Sequence, residues 1–199
     1  MVSRLWLVFA VLAGLLLGGC GYNDVQRQDQ AVKAAWAEVL NQYQRRTDLI
    51  PNMVATVKGE ANFEQETLTR IADARASVGR LNVSPETLDD PAAFARFQQA
   101  QSQLGGALSR LLAVSENYPN LKANAAFQDL RAQLEGAENR IAIARKRYID
   151  AVAQYNTTIA LLQNKLGATL AGAKEKPQFT VADEAAASRP PTVDFGGGK

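Results

Sequence analysis

Two pairs of glutamates, a group of arginines and one cysteine are the residues in this 199-residue chain whose types and spacing could do chemistry. Glu60 and Glu64 stand four apart and Glu135 and Glu138 three apart, so on helices each pair would share a face. Four carboxylates inside a bundle could hold two metal ions, but di-iron bundles complete such sites with two Glu-x-x-His motifs. The chain contains no histidine. That removes the commonest general base and the commonest metal ligand in one step. Ser102, Ser109 and Ser115 have no neighbouring base, and Lys58-Gly59 lacks the glycine spacing of a phosphate loop. No catalytic residue, metal ligand or cofactor is therefore expected, and a carboxylate-based metalloenzyme stays the minor reading.

The same charges read better as structure. Arg46 lies three residues after Tyr43 and four before Ile50, on the edge of an apolar stripe. Glu138 and Arg145 lie seven apart, flanking a second stripe beside Ile141 and Tyr148. Long charged side chains at such positions bury their stems and pair across helices. The spacing predicts a polar layer in which Arg45, Arg46 or Asp48 meets Glu138, Arg140 or Arg145. Its use would be register, since buried ion pairs penalise mispairing more than they stabilise. The nearby Pro51 removes a helical donor and opposes the carbonyl of Thr47, which predicts a kink. If the helix breaks there, Thr47 and Asp48 could cap its second half.

Cys20 bears on location. Arg4 precedes an apolar run from Leu5 to Leu17, 13 residues long. That suits the core of a signal peptide and falls short of the roughly 20 residues that span a bilayer. Leu17-Gly18-Gly19-Cys20 resembles the bacterial lipobox, so residues 1–19 are expected to be removed and Cys20 acylated. An uncleaved anchor helix is the alternative. Either way the body would be exported to the periplasmic side of a bacterial envelope. Gly21 stands where an aspartate commonly retains lipoproteins in the inner membrane, which favours the outer one. A formal net charge of +2 offers no basic stripe for nucleic acid.

These residues need helices to position them. From Tyr22 to about Arg80 apolar positions repeat at three, four and eleven residues, predicting one long helix of ~85 Å. Ser84-Pro85 and Asp90-Pro91 read as caps, and the second opens a helix to about Asn117. Asn124 caps a third helix whose stripe runs from Phe127 to Leu166. No strand signal appears. The fold class is all-α: an antiparallel helical bundle of long helices, close to the four-helix class, with a kinked long first helix. Residues 20–170 form the bundle and 171–199 a flexible C-terminal tail. Because the first helix outruns the second, part of its stripe would lie bare unless Pro51 folds it back or a second copy covers it.

Three blocks carry a family resemblance: the opening Tyr22-Asn23-Asp24, residues 42–64 (QYQRRTDLIPNMVATVKGEANFE) and residues 108–159. They resemble the LemA family of bacterial envelope proteins over roughly Tyr22 to Ile159. The resemblance implies a helical bundle tethered at its N-terminus to a membrane, and no agreed enzymatic activity. Two departures stand out. The family often has a spanning N-terminal helix where this chain has a lipobox. Leu161-Leu162-Gln163-Asn164 also replaces an aromatic–proline turn. The expected function is a non-catalytic, lipid-anchored helical scaffold working through unidentified protein partners. The alternative is a self-associating membrane-shaping protein that forms homo-oligomers through the bare stripe.

Overall fold

The computed structural model describes residues 2–60 and 62–179, without the side chains of residues 2–5, 7–20 and 163. The elements are α1 (Val2–Lys58), α2 (Gln65–Gly79), α3 (Pro91–Ser115), α4 (Pro119–Ala123), α5 (Ala125–Ala160) and α6 (Lys165–Leu170). Short 3-10 turns, Pro85–Asp89 and Leu162–Asn164, precede α3 and α6. Four long helices run alternately down and up, and no strand occurs among the described residues. The all-α bundle that periodicity predicts is the fold.

The first helix begins and ends earlier than the periodicity predicts. It ends at Lys58, and the chain turns before α2 rather than continuing to Arg80. Gly59 starts the turn, and Asn62 completes it with φ 66°, a left-handed conformation that asparagine tolerates better than most side chains. Pro51, in contrast, breaks nothing: α1 runs through it unbroken. Thr47 does not cap a new helix. Its Oγ1 donates to the Tyr43 carbonyl at 3.0 Å, while Asp48 accepts from Gln44 Nε2 at 2.7 Å.

The caps form where proline and polar spacing place them. Asp90 Oδ1 accepts from the amides of Ala92 and Ala93, at 2.9 and 3.1 Å, at the start of α3. Asn124 Oδ1 accepts from the Phe127 amide at 3.2 Å at the start of α5. Each such cap stabilises its helix by about 1 kcal/mol.

Nor does a bare stripe exist on the described part of α1. Val25, Val32, Trp36, Val39, Tyr43, Ile50, Met53 and Val57 are each at most 6% exposed. α5 lies along α1, α2 returns beside its lower half, and the C-terminal segment covers the upper half. That segment corrects a second expectation. α5 stops at Ala160, α6 folds against α1 at Gly21 and Tyr22, and residues 171–179 lie back on the bundle instead of forming a tail. Lys176 and Phe179 are buried there. Residues 180–199 lie outside the described residues.

Candidate functional site

The core divides into two apolar clusters. The upper holds Trp36, Tyr43, Phe94, Phe97, Ile141 and Tyr148, and the lower Ile50, Met53, Leu104, Leu108, Phe127 and Leu134. On each of three helices a polar residue marks the division: Arg46 between Tyr43 and Ile50, Gln101 between Phe97 and Leu104, Glu138 between Leu134 and Ile141. These three side chains meet. Arg46 Nη1 donates to Glu138 Oε1 at 2.8 Å, and Nη2 to Gln101 Oε1 at 2.6 Å and its carbonyl at 3.2 Å. Arg46 is 3% exposed, whereas the Glu138 side chain is 46% exposed. The cation is buried and its counter-ion still touches water. Arg46 Nε finds no partner, and the guanidinium lies 5.0 Å from the centroid of the Tyr43 ring.

The predicted layer is therefore present with a different membership. Arg45 and Asp48 are exposed and do not join it, and Asp48 pairs along its own helix with Gln44. Arg140 is exposed and curls over Gly136 of α5, its Nη1 3.3 Å from where a Cβ at that glycine would sit. Arg145 lies one layer up. It covers the Phe179 ring at 4.5 Å, and its charge bears on the Tyr43 hydroxyl. Burial raises the Tyr43 pKa, and the neighbouring Arg145 and Arg46 only partly oppose that. Gln101 escaped sequence reasoning, although a glutamine on the Phe97–Leu104–Leu108 stripe was the available signal.

The carboxylate pairs do not converge. Glu60 follows the end of α1, and Glu64 opens α2, so no helix joins them. Glu64 accepts from Thr67 at 2.7 Å and pairs with Arg110 at 3.2 Å; the Thr67 bond and Arg110 hold its carboxyl below the usual range. Glu135 pairs with Arg131 at 3.1 Å, and Glu138 is committed to Arg46. Among the described residues no three acidic or cysteine side chains come together as metal ligands.

Two surfaces remain. On one side, the C-terminal segment is held by side chains that read its backbone. Asn156 Nδ2 donates to the Lys176 carbonyl at 3.2 Å, and its Oδ1 accepts from the Lys176 amide at 3.0 Å. The Tyr148 hydroxyl donates to the Pro177 carbonyl at 2.8 Å. The Lys176 ammonium bonds Asp89 and stands 3.5 Å from Asp29, and Phe179 fills a box of Trp36, Phe94 and Tyr148. On the opposite side, α1 and α2 leave an open groove of about 910 Å³. Ala37, Asn41 and Gln44 form one wall, Ala72, Ala76 and Gly79 the other, with Leu40, Tyr43, Phe97 and Gln101 also lining it. Thr47 lines it as well, and Pro51 deprives its carbonyl of a helical donor.

A family model, the LemA family, matches residues 35–195. The chain belongs to the LemA family. No curated protein matches it. The matched LemA range contains the lower apolar cluster, the upper one apart from Val25 and Val32, the polar layer and the docked segment through Phe179, so it extends beyond Ile159, where the recognisable blocks end. It leaves out the apolar run and Cys20. The side chains of that run, apart from Trp6, and of Cys20 lie outside the described residues. Among the described residues no helix is long and apolar enough to cross a membrane.

Proposed function

We propose that this LemA-family protein is a lipid-anchored, non-catalytic scaffold of the bacterial envelope that works by holding a protein partner. One observation carries the reading. Arg46 and Glu138 are spent on the layer inside the bundle, while among the described residues the seam between α1 and α2 stays open and no ion pair crosses it. The groove has antiparallel walls, Ala37, Leu40, Asn41 and Gln44 on α1 facing Ala72, Arg75, Ala76 and Gly79 on α2, a shape that admits a helix from a partner. Thr47, whose carbonyl Pro51 leaves without a helical donor, lines it.

Two measurements in intact cells test the two halves of the proposal. Labelled palmitate should enter the wild-type chain and not Cys20→Ala; equal labelling removes the lipid anchor. A photo-crosslinking amino acid at Ala76, inside the groove, should give a discrete adduct that the same group at Ser109, on α3, does not. No adduct at position 76 with the protein at its normal level ends the scaffold reading. A metal retained by the folded, purified chain would revive the carboxylate enzyme.

A further inference from the structure

Exposed apolar side chains gather at one end of the molecule. Leu162 is 83% exposed, Leu166 62% and Leu170 70%, and Leu161 and Tyr22 are also open. Of the other large apolar side chains exposed among the described residues, Trp6 lies in the N-terminal run itself and Ile143 alone lies on the body. Leu162, Leu166 and Leu170 recur every four residues, so they share one face of α6 and the turn before it. The other face of α6 is buried through Gly167 and Ala168. A Cβ at Gly167 would lie 2.5 Å from the Tyr22 amide nitrogen and 2.7 Å from the Gly21 carbonyl carbon. Backbone thus meets backbone, and the leucine face is pinned beside Gly21, immediately after Cys20.

Nothing in the bundle needs those leucines outside. α6 could pack as well with polar residues there, and an open leucine row of this kind costs solubility. Its position decides what covers it. The chain reaches Gly21 directly from the apolar run Leu5–Leu17, so the leucine face stands where the N-terminus enters its hydrophobic surroundings. Tyr22, half in water, and Lys165, exposed in the same short helix, suit the headgroup level. We propose that α6 is a membrane-contact face: Leu162, Leu166 and Leu170 enter the boundary between headgroups and acyl chains. The bundle is then held against the bilayer at two points, the N-terminus and α6, and keeps a fixed orientation. This rests on the proposed membrane tether but not on its chemistry.

The test uses the full chain reconstituted in vesicles of phosphatidylethanolamine and phosphatidylglycerol. With Cys20 acylated, Leu166→Cys provides the one free thiol for an environment-sensitive nitrobenzoxadiazole label, and Ser109→Cys provides the same on exposed α3. The label at 166 should shift to the blue and be quenched by lipids carrying a nitroxide near the headgroup, while the label at 109 does neither. Equal, water-like emission from both positions overturns the proposal. A label at 166 that dries only as protein concentration rises, in detergent without vesicles, overturns it in favour of a second copy. Thiol titration of the wild-type chain reads the anchor separately. A reactive Cys20 refutes acylation alone, and the measurement at 166 is then made in the Cys20→Ser chain, which keeps the apolar run.

Discussion

Arg46 is the residue on which the polar layer turns, because its charge is buried while that of Glu138 is not. Glu138→Gln leaves a buried guanidinium without a counter-ion, and breaking a fully buried pair in this way costs several kcal/mol. The half-exposed carboxylate was partly screened already, so about 1–3 kcal/mol is expected here. Arg46→Met removes the charge but strands the buried Gln101 amide. With both changes made, the layer loses its ions together, and the double variant should be more stable than the two single losses predict by about 1 kcal/mol or more. Urea unfolding of the four chains closes the cycle; simple additivity would dissolve the layer as a unit. Arg46 and Glu138 were legible because both lie on the edge of an apolar stripe. Arg45, Asp48 and Arg140 are near them in sequence alone. Each points away because a helix turns about 100° per residue, and sequence distance alone does not distinguish the edge of a stripe from the outer face.

Among the elements, α6 is held by its closest backbone approach and α3 by ordinary packing, so their glycines should respond oppositely. Gly167→Ala drives a Cβ into the backbone of Gly21 and Tyr22, which cannot swing aside. It should cost about 1–3 kcal/mol and loosen residues 162–179, read as faster amide exchange there than in α3. Gly106 on α3 has nothing within 4 Å of a Cβ, and Gly106→Ala should raise stability by about 0.5–1 kcal/mol through helix propensity. Pro51→Ala belongs with it. The helix already passes through Pro51, so restoring an amide to meet the Thr47 carbonyl should stabilise by about 1–3 kcal/mol. Loss of stability on that change would mean the missing donor serves the fold. Helix identity and caps were legible from proline, asparagine and the three–four spacing. The end of α1 was not, because the apolar period continues in phase across Gly59 and Asn62 into α2. The docking of 171–179 was not legible either. Its anchors, Lys176 and Phe179, are single residues whose partners lie on α1, α3, α5 and the turn before α3, and no local period announces them.

For the molecule as a whole, the upper cluster is closed by tyrosines, and that sets its response to alkali. Burial raises the pKa of Tyr43, Tyr148 and Tyr155, most strongly for Tyr148; Asp29 reinforces the shift at Tyr155. Each phenol holds its proton more tightly folded than unfolded, so above the ordinary value of 10.0 the unfolded chain releases protons that the folded chain keeps. Their contribution is complete below that value and is lost as pH rises past it towards the folded values. Glu64 and Glu116 act the other way at the acid end: their lowered values favour the fold at neutral pH, and that advantage fades as pH falls through the carboxylate range. Both are exposed, so the acid limb should be shallow and the alkaline one steep. Unfolding midpoints in urea should accordingly hold level to about pH 9 and then fall sharply. Tyr148→Phe separates the two roles of that side chain. It gives up the bond to the Pro177 carbonyl, lowering stability at neutral pH by about 1 kcal/mol, yet it should flatten the alkaline fall because one of the three buried phenols is gone. A variant as steep above pH 10 as the wild type would place the alkaline weakness outside the upper cluster.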